Sequence, residues 1–259
     1  MSTVVAIHGA FHEMWGPHQV RARWLPALQD GVWLHGATLD PADVAIAFYG
    51  DVFRHAPMSE QAQRQQMEAV VRDAGLADVL QTRLGDHALE VLAQQIGEDQ
   101  LRRTIDQAGR YFSDDDVSAR VQQRLLDVLA DDTRVVVAHS LGTVVAYETL
   151  CAHPDRPPLT LVTLGSPLAN QGFVVPHLRP AQGRATPPIP ACVERWVNVG
   201  SPTDQVCRDT GIASVFGERV EDVVIDTAHR GHDPEPYLDA AAVGGVLCRA
   251  LGLATTPRR

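Results

Sequence analysis

Lysine is absent. All 22 basic side chains of the 259-residue chain are arginine, which excludes Schiff-base chemistry, covalently held pyridoxal phosphate and a P-loop nucleotide site, each of which uses a lysine amine. Runs of basic residues are missing too. With a formal net charge of −10, a nucleic-acid partner is not expected, because binding a phosphate backbone draws on clustered positive charge. No apolar stretch approaches the ~20 residues of a membrane span. Met1 leads directly into the apolar run at Thr3 to Ile7 without a basic region or cleavage site, so no secretory signal is expected. The four cysteines, Cys151, Cys192, Cys207 and Cys248, show no CxxC pairing and read as buried thiols of a reducing compartment, which predicts a cytoplasmic location. Aromatic residues make up only 5% of the chain, and Trp15, Trp24, Trp33 and Trp196 show no arrangement suggesting a ring or sugar platform.

Hydrophobic residues, at 45%, suffice for a sizeable core, and the length predicts one α/β domain over 1–259 carrying insertions. Short β-branched runs bounded by turn residues alternate with helical stretches, the pattern of a mostly parallel sheet of about six strands flanked by helices. Strands are expected near 3–8, 44–49, 134–139, 159–164, 195–199 and 222–226. Helices are expected near 17–29, 117–130, 143–153 and 235–251, the second capped by the acidic run Asp114 to Asp116. Two segments exceed this alternation. The stretch at about 52–115 has apolar residues at helical spacing and is too long for a simple crossover. The stretch at about 168–192 contains Pro187, Pro188 and Pro190 and cannot be a continuous helix or a central strand. Both would lie at the carboxyl ends of strands, where ligands bind in such sheets, which predicts a helical lid and a rim loop.

The apolar run RVVVAH leads straight into Ser140-Leu141-Gly142 and then into the helical stretch TVVAYETL, placing a serine on a strand-to-helix turn. Small residues must flank such a turn two positions away on each side, and Ala138 and Gly142 stand there. The segment AHSLG resembles the nucleophile elbow of the α/β-hydrolase superfamily, in particular its lipase- and esterase-like members, with Ala138 where the usual G-x-S-x-G has its first glycine. The resemblance runs over nearly the whole chain in strand order, although it begins at the strand before the oxyanion loop, so the family's first two strands have no counterpart.

The resemblance implies Ser140 as nucleophile and a triad completed in the order acid, then histidine. Segment RWVNVGSPTD delivers Asp204 beyond a strand end, making it the expected acid, ahead of Asp209 and Glu194. Segment TAHRGHDPEPYLD resembles the histidine loop of lipase-like relatives and offers His232 as the base, with His229 as the alternative. A metal is not expected on this His-x-x-His pair, since no third ligand cluster accompanies it, and no cofactor is expected. The oxyanion hole is implied to use the backbone N–H of Leu141 together with that of Ala10 or Phe11, in the loop AIHGAF. Gly9 gives that loop room to turn, and His8 reads as structural. Gly9, His139, Ser166 of the segment TLGSPLA and His229 are the candidates for lining the substrate pocket.

These features imply a serine hydrolase cleaving a carboxylic ester or thioester through an acyl-enzyme, acting on a small acyl ester or lipid-like molecule. Acyl transfer on the same fold, and a non-catalytic ligand-binding relative, stay open as alternatives.

Overall fold

The apolar runs become six strands: β1 (Val4–Ile7), β2 (Val44–Ala47), β3 (Val135–His139), β4 (Leu159–Leu164), β5 (Val193–Gly200) and β6 (Val220–Val224). They form one sheet in the order β2-β1-β3-β4-β5-β6, with every neighbouring pair parallel. This computed structural model describes residues 3–54, 98–207 and 211–256.

Among the described residues, five longer helices flank the sheet: α1 (Pro17–Trp33), α2 (Glu98–Ser113), α3 (Asp115–Leu126), α4 (Leu141–Ala152) and α5 (Ala241–Leu251). Strand alternation divides the core into two layers. Val5, Ile7, Val136, Ala138 and Leu161 pack with Val117, Val121 and Leu125 of α3 and Val144 and Val145 of α4. Val4, Ala6, Val135, Val137 and Val197 pack on the other face with Val20, Trp24 and Leu28 of α1 and Val243, Val246 and Leu247 of α5. Helices cover both faces, so all five residues of β3 are buried. That is why Val135 to Ala138 read as an unbroken apolar run and not as an alternating one. Asp114 caps α3 as expected, its carboxylate accepting the N–H of Val117 at 3.1 Å.

The expected helix over 235–251 is instead two pieces, a turn at Glu235–Leu238 and α5, separated by Ala240 in extended conformation (φ −61°, ψ 137°). The break lets α5 cross α1 at two glycines: a Cβ on Gly244 would overlap the carbonyl of Gly31, and one on Gly31 would stand 2.9 Å from the Leu238 carbonyl oxygen. Of the expected lid at 52–115, residues 55–97 lie outside the described residues, and α2 is its principal described part. The proline-rich segment is a series of short turns (Pro167–Ala169, Val174–His177, Arg179–Ala181) that buries Leu168, Phe173, Val174 and Leu178 in the α3–α4 layer. Among the described residues no helix is long and apolar enough to cross a membrane, and all four cysteines are free, with Cys192, Cys207 and Cys248 buried.

The strand order reverses once. From β1 the chain steps outward to β2, then returns to β3 on the opposite side of β1 and proceeds outward to β6. A crevice opens at such a switch point beyond the carboxyl ends of the two central strands, here β1 and β3.

Candidate active site

Ser140 sits at that switch point, on the turn from β3 into α4, with φ 54° and ψ −129°. A non-glycine residue holds this conformation only when its surroundings over-determine it. Its N–H donates to the Leu164 carbonyl at 3.0 Å. Its own carbonyl accepts from the N–H of Thr143 at 2.9 Å and from the Thr143 hydroxyl at 2.7 Å. The requirement for small neighbours is steric. A Cβ on Gly142 would overlap the carbonyl of His8, and one on Gly9 would lie 2.6 Å from the Cβ of Ser140.

The loops after β5 and β6 bring an acid and a base to this serine. Ser140 Oγ donates to His232 Nε2 at 2.7 Å, and His232 Nδ1 donates to Asp204 Oδ2 at 2.7 Å. Asp204 is fully buried. Its other hydrogen bonds come from the Tyr237 hydroxyl to Oδ2 (2.7 Å) and from the Val206 N–H to Oδ1 (2.8 Å). Burial works to raise the Asp204 pKa, but the His232 charge and the three hydrogen bonds outweigh it and hold the carboxyl well below the usual carboxylate range. The two loops are tied together by the hydroxyls of Ser201, Thr203 and Thr227, which lie 2.9–3.0 Å from one another, while Thr227 also reaches the Gly231 carbonyl at 2.9 Å.

Gly165 closes the site from β4. It adopts φ +51°, and a Cβ there would stand 2.8 Å from Asp204 Oδ2 and 3.2 Å from both Cε1 and Nδ1 of His232. The sequence drew attention to its neighbour Ser166, but Ser166 is buried, its Oγ 2.8 Å from the Thr143 hydroxyl and accepting the Leu168 N–H at 3.2 Å. It caps the Pro167–Ala169 turn and does not line the cavity, contrary to expectation. His229 is likewise displaced from the expected pocket, because the one-turn helix Ala228–Arg230 carries it to the solvent. Asp209 lies outside the described residues.

Two backbone N–H groups, those of Leu141 at the start of α4 and of Ala10 after β1, carry no hydrogen bond among the described residues. The Phe11 N–H, the other candidate from this loop, donates to Gln107 Oε1 at 3.2 Å. His8 anchors the base of the loop. Its Nδ1 donates to the Gly9 carbonyl at 2.6 Å and its Nε2 accepts the Tyr49 N–H at 3.1 Å. Burial above all, with His12 next, pushes its pKa well below 6.5, so it stays neutral in a structural role.

A cavity of about 600 Å³ opens over Ser140, lined among others by Gly9, Ala10, Phe11, His12, His139 and His232. No residue of the segment 168–192 lines it, so the expected rim loop packs elsewhere. The mouth is charged. Glu13 pairs with Arg103 at 2.9 Å, Arg23 with Glu235 at 2.5 Å, and Arg230 with Asp233 at 2.6 Å. Sequence reading missed Tyr237, Gly165 and Gln107. A signal existed for the first two, since Tyr237 stands five residues past His232 in HDPEPY and Gly165 opens the GSP segment. Gln107 had none, because nothing local marks one glutamine in a helix with many polar residues.

No protein-family model matches the chain, and no curated protein matches it in sequence. Among solved structures, the crystal structure of the esterase domain from a Rhodothermus marinus protein is similar over 97% of this chain and 87% of that one, at 14% identity and a TM-score of 0.35. That is too loose a likeness to bear on the chemistry of the site.

Proposed function

We propose that this protein is a serine hydrolase of the α/β-hydrolase type that cleaves a carboxylic ester or thioester through a Ser140 acyl-enzyme. The observation that carries the reading is the unbroken hydrogen-bonded series from Asp204 through His232 to Ser140, at 2.7 Å in each step, standing where the strand order reverses.

In this mechanism His232 Nε2 takes the Ser140 proton as Oγ attacks the substrate carbonyl carbon, and the developing oxyanion accepts from the N–H groups of Leu141 and Ala10. Asp204 holds the Nδ1–H tautomer and stabilises the imidazolium that forms. The tetrahedral intermediate collapses, expelling the alcohol or thiol with the proton from His232 and leaving the acyl group on Ser140. Water, deprotonated by the same histidine, then releases the carboxylic acid and restores the serine.

The mixed lining, with Arg23, Arg103, Arg230, Glu13 and Asp233 around the mouth and Phe11, Trp15 and Trp24 among them, supports a small ester with polar substituents over a long acyl chain. Intact-mass analysis after a fluorophosphonate probe tests the reading. One adduct on Ser140, lost in Ser140→Ala together with hydrolysis of short-chain esters, is the expected result. Labelling that persists in Ser140→Ala sinks it.

A further inference from the structure

Phe11 is one of three non-glycine residues at positive φ among the described residues, at 74°. Ser140 at the nucleophile turn is another. A phenylalanine in this region is strained and persists only where contacts fix it. The contact here comes from a distant part of the chain. Gln107, on α2 and only 3% exposed, accepts the Phe11 N–H on Oε1 at 3.2 Å and donates from Nε2 to Glu13 Oε2 at 2.7 Å. Arg103, one turn earlier on α2, donates to the remaining oxygen, Glu13 Oε1, at 2.9 Å. One primary amide therefore clamps the loop at both Phe11 and Glu13, and Ala10 lies immediately before the clamped stretch.

We infer that Gln107 is a positioning residue for the oxyanion hole: by consuming the Phe11 N–H and fixing the strained φ of Phe11, it leaves the Ala10 N–H as the donor aimed at the reacting carbonyl oxygen. This rests on the hydrolase reading above. It also gives the 52–115 insertion a chemical task, since α2 reaches the oxyanion loop through this side chain. Without the amide, the loop relaxes toward negative φ at Phe11, turning the Ala10–Phe11 peptide and, through it, the adjoining Gly9–Ala10 peptide that carries the Ala10 N–H. Loss of one oxyanion donor typically costs ~10²–10³ in kcat, and a displaced donor costs part of that.

The test uses three variants of the whole protein: Gln107→Ala, Gln107→Glu, and the exchange Glu13→Gln with Gln107→Glu. In the exchange, the new carboxylate at 107 accepts the Phe11 N–H and the new amide at 13 donates to it, rebuilding the clamp with its inner bond reversed. The expected result is a fall in kcat of about 10- to 100-fold in both single variants, with KM nearly unchanged and kcat largely recovered in the exchange. A trifluoromethyl ketone, whose hemiketal with Ser140 carries an oxyanion, should lose affinity by the same factor as kcat/KM, while affinity for the product acid stays constant. Folding is monitored by thermal melting. Folded single variants with unchanged kcat, a change in KM alone, or unchanged ketone affinity each overturn the inference while leaving the hydrolase reading standing. A wild-type protein that neither reacts with a fluorophosphonate nor hydrolyses esters overturns both.

Discussion

The imidazole of His139 lies against that of His232, with ring centroids 4.7 Å apart and planes 34° from parallel, and neither of its nitrogens has a hydrogen-bond partner among the described residues. Burial first, and the neighbouring His232 second, push its pKa well below 6.5. His8 is likewise pushed well below 6.5 and His12 below it, in both cases chiefly by burial. The folded protein thus binds fewer protons than the unfolded chain once the pH drops below 6.5, and stability falls with pH there. The stabilisation is whole above 6.5 and is lost as pH descends toward the depressed folded values. Each such histidine contributes a slope of up to about 1.4 kcal/mol per pH unit. Urea unfolding between pH 7 and pH 5 should show the loss, and His139→Leu, which removes one titrating group, should flatten it. Equal slopes in the variant and the wild type would contradict the assignment.

Gly165 makes a sharper steric prediction. Alanine there must adopt φ +51° and would bring its Cβ to 2.8 Å from Asp204 Oδ2, so the acid and the His232 ring must both give way. A displacement of about 1 Å among reacting groups costs on the order of 10²-fold in rate. Gly165→Ala should therefore lower kcat by roughly that factor while Ser140 still labels slowly with a fluorophosphonate. Unimpaired turnover would mean that Asp204 and His232 do not act from the positions they occupy here.

Strands, the tight turn at Ser140 and the two loops after β5 and β6 were legible because each writes its constraint locally. A strand buried on both faces must be largely apolar, as β3 is from Val135 to Ala138. A serine on a tight turn must have small neighbours, as Ala138 and Gly142 are. What could not be read arises in short irregular turns or between distant segments. Ser166 and His229 had the right composition for a pocket, but the turn after β4 uses the serine hydroxyl as a cap, and the Ala228–Arg230 turn points the histidine outward. The break at Ala240 exists because Gly31 and Gly244 meet, and a sequence window over 235–251 does not contain Gly31. Gln107 acts on residues about a hundred positions earlier.

Away from the cavity, Glu148 of α4 is a buried carboxylate, 2% exposed, that joins three segments. It accepts the Tyr111 hydroxyl at 2.8 Å, the Arg179 backbone N–H at 2.8 Å and the Arg179 guanidinium at 3.1 Å. Removing one member of a buried charged pair strands the other, at a cost of about 3–5 kcal/mol. Arg179 keeps a contact with exposed Asp115, so the lower end of that range is expected. Glu148→Ala should destabilise by about 3 kcal/mol in urea titration and, at a temperature where it is folded, retain kcat. A loss of kcat without loss of stability would instead assign Glu148 to the site.

The Tyr237 hydroxyl and the His232 imidazole share one oxygen, Asp204 Oδ2, each at 2.7 Å, and this allows orientation to be separated from charge. Asp204→Asn keeps the shape but offers His232 Nδ1 an amide that can donate, favouring the wrong tautomer; a kcat loss on the order of 10⁴-fold is expected. Tyr237→Phe leaves the carboxylate and its Val206 N–H bond intact while removing one bond that holds the ionised form, worth about 1.5–3 kcal/mol for a charged partner. The Asp204 pKa, held down in part by that bond, should then rise. Because it starts well below the carboxylate range, Asp204 stays ionised at neutral pH. Tyr237→Phe should accordingly keep kcat within about tenfold at pH 7–8 and show its deficit as a loss of stability at neutral pH that narrows on acidification, since a less depressed carboxylate has less stabilisation to lose as pH falls from its unfolded pKa through its folded one. Rate and urea-unfolding profiles of the two variants over the same pH range distinguish these effects. A Tyr237→Phe protein as inactive as Asp204→Asn would show that the tyrosine orients the acid itself.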